Sequence, residues 1–107
     1  MSDFSSVLVR GDLPQAVEID PSCHSAYIRF KKAKIERTVN RVDEGKVVAV
    51  DLDSSGNVVG IELIGVRQFS ISAIRRFLPP QFRQLNFERA NFMPATQAPC
   101  RREMQPA

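Results

Sequence analysis

The stretch KVVAVDLDSSGNVVGIELI, residues 46–64, decides the fold. Residues 46–53 and 57–64 read as two strands. Val48, Val50 and Leu52 share one face of the first, and Val59, Ile61 and Leu63 share one face of the second. β-Branched residues fill both, as half-buried pleated surfaces prefer. Between them, Asp53, Ser54 and Ser55 favour the first turn positions. Gly56 supplies the positive φ that closes a bulged hairpin loop. Gly60 sits mid-strand, where a missing side chain marks a bulge or a close approach of another group.

Outward from the hairpin, residues 16–20 read as a strand stopped by the turn signal of Asp20, Pro21 and Ser22. Residues 25–30 alternate strictly. Ala26, Ile28 and Phe30 face one side, Tyr27 and Arg29 the other. Lys31, Lys32 and Lys34 mark an exposed turn, and residues 35–42 alternate again with a less defined register. After Gly65 the period changes. Ile71, Ile74 and Phe77 or Leu78 align on one helical face, Ser70 or Ser72 can cap the helix, and Pro79 and Pro80 end it. Phe82, Leu85 and Arg89 suggest a second short helix within residues 81–92. Val7, Leu8 and Val9 read as an edge strand or a docked arm. The triplet Arg10, Gly11, Asp12 is discounted as an adhesion motif, because nothing else indicates secretion.

These elements make an α+β fold: a small antiparallel β-meander of four to five strands, with one or two short C-terminal helices packed on it. The 107 residues correspond to one domain. Residues 1–93 form it, with the core in 16–78. Residues 94–107, with three prolines, read as a disordered basic tail. One helix cannot cover both faces and edges of such a sheet, so self-association as a symmetric dimer is expected.

Composition narrows the function classes. A hydrophobic fraction of 43% and a charged fraction of 25% are those of a globular domain. No apolar run approaches the length of a membrane span, and the first residues do not form a signal peptide. Two cysteines, Cys23 and Cys100, make no disulfide framework, so a reducing cytoplasm is the default expectation. Charge is uneven. Residues 1–64 carry eight Lys/Arg against ten Asp/Glu, whereas residues 65–107 carry seven Arg against Glu88 and Glu103.

Residues 51–62 imitate a calcium loop, with Asp51, Asp53, Ser55, Asn57 and Glu62 at the ligand positions and Gly56 at the turn. Its strand flanks argue against one. A returning strand carries Glu62 well away from the turn, at about 3.3 Å per residue. Solvent-facing acids beside a polar turn are the alternative, with Glu62 unexplained. Adjacent Cys23 and His24 point apart in a strand, and the single histidine leaves no second imidazole for a metal site or triad. No catalytic set and no cofactor is therefore expected. Lys31, Lys32, Lys34, Arg75, Arg76 and Arg83, with Arg37, Arg41 and Arg89, are candidate contacts to nucleic acid or another anion. No reader motif accompanies them, and Phe77, Phe82 and Phe87 are better used covering the sheet.

VEIDP (17–21), AYIRF (26–30) and above all VDLDSSGNVVGIEL (50–63) resemble domain of unknown function 2283. This is a family of small prokaryotic proteins whose signature is an Asp-rich turn followed by Gly-Ile-Glu. Thr38 and Val39 fit its middle strand. The resemblance spans about residues 17–64. The sequence departs at Cys23, His24 and Ser25, where the family has a short acidic turn, and lacks the first signature aromatic. The resemblance implies a small β-sheet domain and no activity. A non-catalytic interaction module is the leading expectation, followed by anion binding and then by small-ligand or Ca²⁺ binding at residues 51–62.

Overall fold

The computed structural model describes residues 13–95. The strands are β1 (Ala16–Asp20), β2 (Ser25–Arg29), β3 (Arg37–Asp43), β4 (Lys46–Leu52), β5 (Val58–Ile64) and β6 (Asn91–Pro94). One helix, α1 (Ile71–Phe77), lies between β5 and β6. The strands form one sheet in the order β3-β4-β5-β2-β1-β6. All neighbours are antiparallel except β1 and β6, which are parallel. No helix among the described residues is long and apolar enough to cross a membrane.

The central hairpin forms as its residues dictate. Asp53 Oδ1 accepts the amides of Ser55 and Asn57, both at 2.9 Å, and Gly56 takes φ 81°. The β1–β2 corner is built the same way. Asp20 accepts the Cys23 amide at 3.3 Å and the Ser22 hydroxyl at 2.6 Å, and His24 adopts a left-handed conformation. The His24 carbonyl then accepts the amides of Gly65 and Val66, each at 2.8 Å. This ties the corner to the end of β5. Ser70 caps α1 by accepting the Ala73 amide at 3.1 Å, and Leu78 turns extended ahead of Pro79.

One sheet face is the core. Val17, Ala26, Ile28, Val48, Val50, Leu52, Ile61 and Leu63 line it, and Ile74, Leu78, Phe82 and Phe87 close over it. Full burial of each aliphatic side chain contributes about 1.5–3 kcal/mol relative to exposure. Phe82 and Phe87 thus cover the sheet as expected. Ile71 does not join them and stays 44% exposed.

The simple meander is a misreading. Among the described residues the sheet has six strands and is mixed, with β2 between β5 and β1. Strand sequence shows alternation but not which edges meet, so the insertion of β2 left no local mark. The second helix is also absent. Residues 80–82 make one 3₁₀ turn, and Asn86 Oδ1 accepts the Glu88 amide at 2.9 Å, a local bond that competes with helix. The chain then extends into β6, held by Asn91 N to Gln15 O at 3.0 Å and Ala95 N to Ile19 O at 2.9 Å. Every β6 residue is exposed, so no alternation advertises it.

A bulge modifies the hairpin register. Asp51 faces Gly60 but Leu52 faces Val58, which makes Val59 the extra residue. Val58 rather than Val59 therefore joins Ile61 and Leu63 in the core cluster. The bulged Val59 carbonyl accepts the Phe30 amide at 2.9 Å.

Cys23 is buried at the β1–β2 corner. Cys100, the arm at Val7–Val9, the Arg10-Gly11-Asp12 triplet and the tail beyond residue 95 lie outside the described residues.

Candidate functional site

The face opposite the core carries the polar side chains of the central strands. Register places Asn40, Ala49, Glu62, Tyr27 and Glu18 in one row across the sheet. The neighbouring row is Thr38, Asp51, Gly60, Arg29 and Ala16. Gly60 has no side chain, and the Tyr27 ring occupies the space above it. A Cβ on Gly60 would collide with the hydroxyl end of that ring.

This placement carries the Tyr27 hydroxyl diagonally to Asp51, where it donates to Oδ2 at 2.9 Å. From the other side, Thr38 donates to Asp51 Oδ1 at 2.6 Å. Both carboxylate oxygens thus hold a hydroxyl from a different strand. The Arg29 guanidinium lies over the Tyr27 ring, 5.0 Å from its centroid, and donates through Nε to Glu18 Oε2 at 2.8 Å. That hydrogen bond, reinforced by the Glu18 charge and opposed by partial burial, raises the Arg29 pKa above its ordinary value.

The acids of the hairpin are not solvent-facing. Asp51 is 1% exposed and Glu62 is 7% exposed. Only Asp53 sits at the turn. Lys31 donates to its Oδ2 while the turn amides hold Oδ1. The bond from Lys31 and then the Asn57 amide keep the Asp53 carboxyl below the usual carboxylate range. A depressed native pKa stabilises the fold above that range, and the contribution is lost as pH falls through the lowered value. Asp53→Asn keeps an acceptor for the turn amides but not the charge. Its melting temperature should lie below wild type at neutral pH and converge with it as pH falls through the lowered value. A gap independent of pH would contradict the pairing.

The calcium-loop residues are dispersed by this arrangement. Asp51 and Glu62 belong to the sheet face, whereas Asp53, Ser55 and Asn57 form the turn beyond its end. Among the described residues, no three His, Cys, Asp or Glu side chains gather as a metal site. Cys23 is buried and His24 is exposed at a left-handed corner, so the pair makes no dyad.

The basic candidates separate into two groups. Lys31, Lys32 and Lys34 follow β2, with Lys31 paired to Asp53. Arg75, Arg76 and Arg83 meet Ile71 and Ser72 around a groove of about 690 Å³ beside α1, a volume suited to a small ligand. Two of its arginines are engaged elsewhere. Arg75 donates to the Arg83 and Leu85 carbonyls at 2.5 and 2.8 Å and lies over the Phe87 ring, while Arg83 Nε donates to the Leu78 carbonyl at 2.9 Å. They clamp the chain that follows the helix instead of converging on a ligand.

Tyr27, Thr38, Arg29 and Glu18 were not among the sequence candidates for a site. Alternation does place Tyr27 and Arg29 on the polar face. The missing information was strand order, which sets Tyr27 beside β5 and its bare Gly60.

Fold and side chains together define a small single-sheet domain, packed by a helix on one face and cross-linked by hydroxyl–carboxylate pairs on the other. Residues 16–67, which hold β1 through β5, match the model of the family described as protein of unknown function (DUF2283). That description assigns no activity. Neither the curated proteins nor the solved structures gave a match.

Proposed function

We propose that this domain is a non-catalytic interaction module that associates with itself as a dimer. The observation that carries the reading is the open edge at β3. That strand hydrogen-bonds only β4 among the described strands, and all of its residues but Val39 are exposed. Val42 is 68% exposed. An edge of this kind offers a row of backbone donors and acceptors to another strand.

The polar set supports the same reading from the other side. A catalytic acid or nucleophile must face a reacting group. Asp51 faces Tyr27 and Thr38, Glu18 faces Arg29, and Asp53 faces Lys31 and its own turn. These groups join strands to one another. Light scattering at about 10 μM protein, near the affinity expected of a small interface, should give the dimer mass. A monomer mass at that concentration removes self-association from the account.

A further inference from the structure

We propose that two copies pair through β3, antiparallel, about a two-fold axis at Asn40, to make one continuous twelve-stranded sheet. The proposal rests on the self-association reading above and specifies its surface. The two described sheet edges differ. β6 has four residues and ends at Pro94, which has no amide hydrogen to give a ladder. β3 has seven residues and no proline, and it carries the exposed Val42.

Symmetry and charge then select the register. In a continuous sheet, residues opposite one another lie on the same face, so the axis must pass through a residue and not between two. An axis at Val39 sets Arg37 against Arg41, and an axis at Arg41 sets that arginine against its own copy. Like charges directly opposite destabilise a strand pair. An axis at Asn40 uses all seven residues of the strand. It places Arg37 against Asp43 twice, Thr38 against Val42 twice and Val39 against Arg41 twice. Glu36 and Glu44 fall beyond this ladder, and Glu44, at φ 51°, turns the chain away from it. Arg37, Arg41 and Asp43 are all exposed. No described element packed on the core face therefore reaches over the edge to block a second sheet.

The test is a charge swap, read by sedimentation equilibrium on the full chain. Arg37→Asp or Asp43→Arg alone turns two attractive pairs into two repulsive ones and should weaken the dimer about tenfold or more. The double variant recreates both pairs with the charges exchanged and should recover wild-type affinity. As an independent check, Asn40→Cys should cross-link two copies under mild oxidation, because the axis brings that position against itself. Arg41→Cys should not, since its opposite number is Val39. A dimer indifferent to the single reversals, or one that the double variant fails to restore, overturns this register and leaves self-association standing. A wild-type monomer overturns both.

Discussion

Gly60→Ala is expected to destabilise the domain by about 2 kcal/mol, the cost of leaving a buried carboxylate short of one hydrogen-bond donor. The three atoms nearest the new Cβ all belong to the end of the Tyr27 side chain. The backbone can therefore stay in place while the ring swings away. The swing breaks the bond from the Tyr27 hydroxyl to Asp51 and removes the ring from beneath Arg29. The same substitution in a Tyr27→Ala background meets no ring. There it should cost almost nothing, because alanine restricts the unfolded chain more than glycine does. Urea denaturation of the two single variants and the double variant gives the coupling directly. Additive losses would show that Gly60 is required for something other than the tyrosine.

The sequence made the hairpin legible because every level agreed there. Val48, Val50 and Leu52 alternate, Asp53 and Gly56 close the turn, and the β-branched flanks favour strand. The corner at Pro21 and the Ser70 cap were readable for the same reason, since each depends on residues within a few positions. Strand order was not readable. That β2 lies against β5 depends on contacts between residues more than thirty positions apart, such as Tyr27 with Glu62. β6 was hidden for another reason. Its fully exposed residues are held by the backbone of β1, which has no preference about side-chain pattern.

The polar face was half legible. Parity correctly set Tyr27 and Arg29 away from Ala26 and Ile28, and Gly60 was correctly marked as a point of bulge or close approach. The error concerned Asp51. Next to a polar turn, its alternation against Val50 and Leu52 read as exposure, when it meant only the other face. Whether that face is wet depends on its neighbours, and Thr38 and Tyr27 come from strands on either side of the hairpin partners. The Asp-rich turn and the Gly60-Ile61-Glu62 that follows it thus combine two duties. Asp53 and Gly56 form the turn, while Asp51 and Gly60 place an acid and a bare backbone where Tyr27 can bridge them.

The central claim is that Asp51, with Glu18 and Asp53, holds the sheet together. Thermal and urea unfolding of Asp51→Ala tests it most directly. The side chain is 1% exposed and accepts two hydroxyls from two other strands. Its removal leaves both donors without their acceptor and a void beside Gly60, and should cost about 2–3 kcal/mol. Thr38→Val, which removes one donor from an exposed position, should cost less. Residues kept for chemistry behave in the opposite sense, because a functional site commonly sacrifices stability and its removal relieves the strain. A large fall in stability is the result this account predicts. An Asp51→Ala variant as stable as the wild type, or more so, would contradict it.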